Sequence, residues 1–457
     1  MRSKHLNIAV EEPQVRNPSR AAWGVLLISF AIFCALCVLS TVSTYAFFFQ
    51  STLPMTTVAQ PSRGAIGVIG ADLNRQLVDN PRQISLGNTV SPADPLSQGL
   101  VSFRDPHSDN MLIAMVTLFG DSSAATVRQS ARPRFEWSNS GYRIDLIGAR
   151  GTLDVVIASA LRDIIVDVQT AQGGRVKLRN EGRYTLEITD NTLRVTNHRG
   201  EAVLIPGQQE VGYAVAAGTS SALESGQNQP RAVALPVNLI ENASFDQVLQ
   251  NEGSDPLPLN WACRPGVLNA PSSRFFGARQ DGRAIIDFVR GDGATTNGET
   301  TCLQGRPSGE AWRDLTAYDY LALRATFYIA HQSLSACGFR GSECPLMLRV
   351  EYLTESGDSG ELVSRELIYG FYAYFDPQSP WPKQCDTCSQ PHILVKMQSW
   401  YTFQTENILA ILPEDEHPVA ITSLRFYASG HEYDVRVAEV SLLAQQSTLS
   451  VTDAPSS

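Results

Sequence analysis

The pattern of hydrophobic and polar positions differs between three parts of this 457-residue chain, and the first part is the simplest. Residues 21–50 contain no charged side chain, and Trp23 opens an unbroken apolar run. A helix of about 20 apolar residues is long enough to cross the hydrocarbon core of a bilayer. We therefore predict a membrane-spanning helix over residues 21–49, because no other segment carries a comparable run.

The charges beside this run predict its orientation. Residues 1–20 carry four basic and two acidic side chains, whereas no Lys or Arg follows the run until Arg63. Basic residues accumulate on the cytoplasmic side of a membrane helix. We expect a cytoplasmic tail at 1–20, an uncleaved single-pass anchor and an extracytoplasmic remainder. A cleaved signal peptide is the alternative, but its apolar region spans only about 7–15 residues.

The second part of the chain has the period-two pattern of β-strands. Apolar side chains alternate with polar ones at Ile164, Val166 and Val168, and again from Tyr184 to Ile188. Strands of this kind, separated by turn residues every 8–12 positions, are typical of all-β folds. We predict a β domain over residues 100–216, with turns at 180–182 and 199–200. Residues 50–99, rich in Ser, Thr, Pro and Gly, are predicted to be a spacer.

The same strands carry a family resemblance. The runs Gly173-Gly-Arg-Val-Lys-Leu, Glu181-Gly-Arg-Tyr-Thr-Leu and Leu193-Arg-Val-Thr-Asn-His-Arg-Gly, followed by Gly207-Gln208, resemble a FecR-type extracytoplasmic β domain. The resemblance implies a β fold and a surface location. FecR signalling proteins also have a cytoplasmic portion that folds and holds a sigma factor. A tail of 20 residues is too short to bury a core of its own.

The third part follows a Gly-, Ser- and Pro-rich linker at 217–236. The opening Asn238-Leu-Ile-Glu-Asn-Ala-Ser-Phe-Asp, followed by Trp261, resembles the galactose-binding-like jelly rolls of carbohydrate-binding modules. The segments that begin at Asp314 and Ile421 resemble the middle and last strands of that fold. The expected fold class is therefore an all-β ectodomain on one transmembrane helix: a FecR-like domain, then a β-sandwich jelly roll at 237–446 and a polar tail at 447–457.

Six of the eight cysteines lie in the C-terminal half, and an even number in an extracytoplasmic segment favours disulfides. The compact spacings favour Cys337–Cys344 and Cys385–Cys388, which leaves Cys263–Cys302. Six cysteines allow 15 connectivities, so this pairing is a preference. The alternative is a zinc site formed by Cys337, Cys344, Cys385 and Cys388.

The net charge and the lack of catalytic motifs argue against several classes of function. The whole chain has 36 Lys and Arg against 46 Asp and Glu, which leaves a net charge of −12 beyond residue 20 and argues against a nucleic-acid partner. The sequence contains none of the usual hydrolase, phosphate-loop or dinucleotide motifs. We expect a non-catalytic protein without a resident cofactor.

Aromatic residues of the third part are the candidate ligand contacts, because sugar rings stack on flat aromatic faces. The alternative is that these rings pack in the core of the jelly roll. Trp381 lies between two prolines, so it is predicted in a loop. Tyr372 and Tyr374 are predicted on one face of a strand, and Trp400 opens another. The jelly-roll resemblance further implies a structural calcium ion, with Glu241, Asp246 and Glu439 as ligands.

These observations predict a single-pass envelope protein anchored through residues 21–49. Its jelly roll is expected to bind a glycan or another surface polymer. The alternative is a FecR-related signalling protein that acts through its short tail, and an enzyme ranks third.

Overall fold

The fold is described from a computed structural model covering residues 18–446, except 71, 159–161, 208, 210, 250–256, 266–273, 292, 308, 357–359 and 389. The predicted tails at 1–17 and 447–457 lie outside the described residues. The chain divides into two compact units, one formed by residues up to 53 together with 132–140 and the other by the remainder.

The first unit is built on one helix. Helix α1 (Pro18–Tyr45) continues as a π-helical turn (Ala46–Gln50), and an 18-residue window within Ala22–Gln50 has a mean hydropathy of 2.7. This length and composition are sufficient to cross a membrane. Aromatic rings collect where the helix ends: Phe135 packs edge-on against Phe47 at 5.7 Å and stacks on the exposed Trp137 at 4.9 Å. Aromatic side chains of this kind are enriched at membrane interfaces.

A fifteen-stranded sheet follows the helix in the described chain. Its strands are β1 (Thr52–Pro54), β2 (Thr56–Arg63), β3 (Ile66–Ile69), β4 (Arg75–Val78), β5 (Arg82–Gln83), β6 (Thr89–Pro92), β7 (Gln98–Asp105), β8 (Met111–Pro133), β9 (Tyr142–Ile157), β10 (Ile164–Thr170), β11 (Arg175–Ile188), β12 (Thr192–Ile205), β13 (Tyr213–Val215), β14 (Thr219–Glu224) and β15 (Arg231–Val233). We call strands β2–β15 the first β domain. They pair mostly antiparallel, whereas β10 pairs with β9 in parallel.

The predicted alternation is confirmed. Ile164, Val166 and Val168 are buried in the core of the first β domain, and Tyr184 and Leu186 point into the same core. The predicted turns at 180–182 and 199–200 are wrong, because β11 and β12 run continuously through both positions. The ladder between them shifts register there, which is the geometry of a β-bulge. The Tyr184 hydroxyl stabilises the bulge, since it donates to the Arg179 carbonyl and accepts from the Glu201 N–H, both at 3.0 Å.

Two predicted boundaries are also corrected. The segment at 50–99 is not a spacer, because β2–β6 lie within it and pair with the rest of the sheet. Its alternating small and β-branched residues bury one face even though polar residues dominate its composition. Likewise β14 and β15 lie within the predicted linker at 217–236 and pair with the sheet, so the first β domain extends to Val233.

The second β domain contains fifteen further strands among the described residues. They are β16 (Val237–Asn238), β17 (Val248–Leu249), β18 (Leu257–Pro258), β19 (Ala262–Pro265), β20 (Arg274–Gln280), β21 (Arg283–Arg290), β22 (Gly298–Gly305), β23 (Arg313–Asp314), β24 (Tyr320–Gln332), β25 (Leu346–Glu355), β26 (Leu362–Tyr372), β27 (Ile393–Leu394), β28 (Trp400–Gln404), β29 (Ala420–Gly430) and β30 (Tyr433–Gln445), with a short helix α2 (Ile408–Ile411) and a 3-10 turn (Glu414–Glu416).

These strands form a β-sandwich, as the predicted fold class requires. One sheet contains β16, β20, β21, β24, β28 and β30. The other contains β19, β22, β23, β25, β26, β27 and β29. Fully buried side chains from both sheets interdigitate between them, including Phe327 and Val437 from one and Leu348 and Phe426 from the other. Packing of two apolar sheet faces against each other is the main source of stability in such folds.

Candidate functional site

The three disulfides are those that the spacing favours: Cys263–Cys302, Cys337–Cys344 and Cys385–Cys388. The sulfurs of the last two pairs approach one buried ring, His392, whose ligand atoms lie within 4.8 Å of each pair. Its Nε2 contacts the Gly341 carbonyl at 2.5 Å, and burial lowers its pKa. Zinc binds cysteine as the thiolate, whereas these sulfurs are bonded to each other. The four cysteines of the alternative zinc site therefore form two disulfides in this structure.

Each of these two disulfides closes one of two neighbouring loops, and hydrogen bonds join the loops to each other. The Ala336 N–H donates to the Tyr374 carbonyl at 2.9 Å, and the Asp376 N–H donates to the Ser335 hydroxyl at 2.8 Å. We call the loops at 333–345 and 373–392 the disulfide-loop patch. Because a disulfide removes freedom from the chain that it closes, side chains on these loops are presented by a restrained backbone.

The disulfide-loop patch carries exposed aromatic side chains. Phe339 is 75% exposed and Tyr374 is 42% exposed, while Trp381 is half-buried in its loop between two prolines. Phe375 of the same patch lies under the Lys383 ammonium at 4.4 Å. Trp381 and Tyr374 therefore remain predicted ligand contacts. Phe339 was missed by the sequence reasoning, although its position between Cys337 and Cys344 could have indicated a restrained, exposed loop.

The other two predicted ligand contacts need correction. Strand β26 ends at Tyr372, so Tyr372 and Tyr374 are not neighbours on one strand face. Tyr372 is buried in the apolar cluster beneath the disulfides. Trp400 is 4% exposed and packs against Leu100 and Met115 of the first β domain. Neither ring presents a face on which a sugar could stack.

The residues predicted to bind calcium are each engaged with arginine. Glu241 pairs with Arg313 at 2.7 Å, and Asp246 pairs with Arg199 at 3.2 Å. Glu439 is buried and accepts from Arg183. The three carboxylates are not among the groups of described residues whose ligand atoms lie within 4.8 Å of one another. Calcium binding by these residues stays a prediction.

Glu439 instead belongs to a charged cleft between the two β domains. Arg324 of the second β domain pairs with Asp154 of the first, and Arg183 of the first pairs with Glu439 of the second at 2.8 Å. Arg324 also approaches Glu439 at 3.5 Å. We call this space, of about 190 Å³, the interdomain cleft. Its two reciprocal ion pairs connect the domains.

Arginine favours the ionised form of two carboxylates in the interdomain cleft, Glu439 and Asp154. Burial alone would raise the pKa of Glu439 and of Asp154, but Arg183 and Arg324 outweigh burial and lower both pKa values. His198 lies at the margin of the cleft with more than a third of its surface exposed. Desolvation and the two neighbouring guanidinium groups lower its pKa to about 4, so the ring is neutral at pH 7.

A tight hairpin positions Arg283, another charged residue that lines the interdomain cleft. Asp281 and Gly282 connect β20 to β21 as a two-residue turn in which both residues have positive φ, the pattern typical of a type I′ hairpin. Gly282 approaches the Ala158 backbone, where a Cβ atom would come within 3.1 Å. Arg283 follows directly, lines the cleft and stacks on the Trp400 ring at 4.8 Å.

The sequence reasoning missed this cleft. Its charged residues are isolated in the sequence, and the paired groups Asp154 and Arg324 are 170 positions apart. The available signal was the Asp-Gly dipeptide before Arg283, which predicts a hairpin but not what the hairpin contacts.

The chain matches no protein-family model and no curated protein. Solved structures similar to it include a candidate anti-sigma factor from Parabacteroides distasonis (10% identity, TM-score 0.18), which covers 33% of this chain. They also include the CBM22-1 xylan-binding domain of Xyn10C from Paenibacillus barcinonensis (11% identity, 47% of this chain and 99% of that domain, TM-score 0.24). The chain spans 58% of the length of the first of these structures. At such identities and TM-scores these similarities carry no weight for function.

Proposed function

We propose that this protein is a non-catalytic envelope component, anchored by α1, whose second β domain binds a glycan or a similar surface polymer through the disulfide-loop patch. The exposed aromatic side chains of that patch are the observation that carries the proposal. Phe339, Tyr374 and Trp381 lie on two loops that are closed by disulfides and hydrogen-bonded to each other.

Aromatic faces in water are suited to this task. A solvent-exposed ring offers a large apolar surface, and the C–H face of a sugar is its complement in shape and polarity. Binding also costs the ordering of flexible side chains and loops. A backbone restrained by two disulfides reduces that cost, because most of the order exists before the ligand arrives.

Two features support an extracytoplasmic location of the patch. Disulfides persist in oxidising compartments, and all six paired cysteines belong to the second β domain. The basic excess of residues 1–20 supports a cytoplasmic position of the tail. A reporter that is active only outside the cytoplasm, fused after Ser457, is expected to be active; recovery of a mature chain beginning near Ser51 would instead establish cleavage.

The test uses the full-length protein in lipid nanodiscs on an array of plant, fungal and bacterial oligosaccharides. We expect a defined class of glycan to bind and to remain uncleaved. Trp381→Ala, Tyr374→Ala and Phe339→Ala should each weaken binding of the best glycan by about 1–3 kcal/mol, the usual cost of removing an aromatic contact. Their melting temperatures should change little, because these side chains are largely outside the core.

The matched control is Leu362→Ala. Leu362 is an exposed apolar residue of β26 in the same domain, away from the disulfide loops. Its removal should leave glycan binding unchanged. Binding that persists in the triple aromatic variant would refute the proposed surface. Deleting residues 2–15 addresses the signalling alternative, since glycan binding should survive the deletion and signalling through the tail should not.

A further inference from the structure

The interdomain cleft contains more positive than negative charge. Four arginines line it, at positions 183, 199, 283 and 324, against three carboxylates, at 154, 246 and 439. His198 adds no charge at pH 7, because its pKa is lowered to about 4. The residues that line the cleft therefore have a net charge of about +1, which favours an anion in this confined space.

The excess charge belongs to Arg283. Arg324 and Arg183 are paired with Asp154 and Glu439, as described above. Arg199 is paired with Glu181 at 2.8 Å and with Asp246 at 3.2 Å. Arg283 lines the same cleft, and its Nη1 atom is buried without a hydrogen-bond partner in the described part of the protein.

Asp281, the carboxylate that interacts most strongly with the Arg283 charge, is already engaged. Asp281 accepts from the Trp400 indole N–H at 2.9 Å through one oxygen and lies 3.6 Å from Arg104 through the other. Burial lowers the pKa of Arg283 to about 10, so the guanidinium still carries its charge at neutral pH. A charged donor that is buried and unpartnered is unfavourable, and it is a group that a bound anion would satisfy.

The geometry of the group specifies the chemistry of the ligand. A guanidinium presents parallel N–H donors that match two oxygens of a carboxylate, sulfate or phosphate. Stacking on Trp400 holds the plane of Arg283 in place. The volume of about 190 Å³ is several times the roughly 30 Å³ that one water molecule takes in the liquid. We propose that the interdomain cleft binds a small oxyanion, with Arg283 as its principal ligand.

Such a ligand would act on both domains at once. Arg183 and Asp154 come from β11 and β9 of the first β domain, whereas Arg283 and Glu439 come from β21 and β30 of the second. An anion that occupies the cleft only when the domains are docked stabilises the docked state by RT ln(1 + L/Kd), where L is the concentration of the free anion. This site is independent of the disulfide-loop patch, and its occupancy does not depend on the glycan-binding proposal.

The experiment is a titration of full-length protein in nanodiscs with sodium sulfate, sodium phosphate and sodium glucuronate, followed by calorimetry and thermal unfolding. Chloride at matched ionic strength and neutral glucose are the reference solutes. With the oxyanions only, we expect saturable heat in calorimetry and a melting temperature that rises with the logarithm of the anion concentration above its Kd. Tighter binding of glucuronate than of sulfate would identify a sugar acid as the source of the oxyanion, and equal binding would identify a free anion.

Variants at position 283 test whether Arg283 is the principal ligand of the anion. Arg283→Gln should weaken anion binding at least tenfold. Arg283→Lys keeps the charge without the paired donors, so it should retain the fold and bind with intermediate affinity. Arg365→Gln, a change at an exposed arginine of β26, should bind like the wild type. A rise in melting temperature that is equal in wild type and Arg283→Gln is the general effect of excluded salts, and it would overturn the proposal, as would binding that survives both changes at Arg283.

Discussion

The ion pairs between the domains give the sharpest prediction, and Glu439→Gln is the perturbation that isolates them. Glu439 is 5% exposed and accepts hydrogen bonds from Arg183, Thr326 and Ser441. Gln has nearly the same size and shape as Glu, so the change removes a charge without creating a cavity. What remains is two arginines that share the single carboxylate of Asp154.

The expected loss of stability follows from the arginine charge that Glu439→Gln leaves without a partner. Breaking a buried ion pair by removing one partner costs about 3–5 kcal/mol, because the other charge stays buried and uncompensated. The Arg183 side chain is 23% exposed and can recover part of its hydration. We therefore expect Glu439→Gln to lower the free energy of unfolding by about 3 kcal/mol, at the lower end of that range.

The assay is urea unfolding of the full-length protein in detergent, followed by tryptophan fluorescence, with Trp400 reporting on the interface. The matched control is Glu224→Gln, which breaks the exposed ion pair with Arg231 and should cost no more than about 1 kcal/mol. A loss below about 1 kcal/mol for Glu439→Gln would refute the idea that the ion pairs couple the domains. The double variant with Arg183→Gln should recover part of the loss, because it removes the surplus charge.

The difference in free energy of unfolding between wild type and Glu439→Gln should depend on pH in a defined direction. Arg183 and Arg324 hold the pKa of Glu439 below its ordinary value of 4.5. A carboxyl group whose pKa is lowered by folding contributes stability that is complete above its unfolded pKa and is lost as pH falls through its folded pKa. The difference between wild type and Glu439→Gln should thus be constant above about pH 5.5 and shrink below pH 4.5.

Three further predictions concern the packing of the β domains. Trp400→Ala should destabilise the protein by about 3–5 kcal/mol through loss of a buried ring; loss of glycan binding at unchanged stability would show instead that Trp400 contacts the ligand. Replacing both Cys263 and Cys302 by Ser should cost about 3–4 kcal/mol in urea unfolding, more than the equivalent change at Cys385 and Cys388, because the closed loop is longer, 39 against 3 positions. Tyr184→Phe should cost about 1–3 kcal/mol, because the bulge loses both hydrogen bonds to the Tyr184 hydroxyl, whereas Tyr374→Phe should leave stability unchanged. Equal melting temperatures for the two variants would contradict the role of the Tyr184 hydroxyl.

Several elements could be predicted because they depend on short stretches of sequence. The length of the apolar run is sufficient to define α1. The inward faces at Ile164–Val168 and Tyr184–Ile188 follow from the period of two that any strand imposes on its side chains. The disulfide pairs with short spacings were favoured because close cysteines meet with little loop closure.

The failures share a different cause. The residues at 180–182 have turn composition, yet they form a bulge because Tyr184 and the neighbouring strand hold the backbone extended around them. Trp400 was expected to be available to a ligand, because nothing in its own segment shows that the first β domain covers that face of the sandwich. Residues 50–99 were assigned to a spacer because their strands are recognisable only by what they pair with.

The sequence by itself therefore determined the apolar helix and the all-β character and favoured the observed cysteine pairs, since each depends on local periodicity, composition or spacing. Only the tertiary structure decided which aromatic rings face solvent and which charges meet in the interdomain cleft. The physical reason is that these properties depend on contacts between distant segments. Arg183 and Glu439, 256 positions apart, acquire their ion pair only when the two domains pack together.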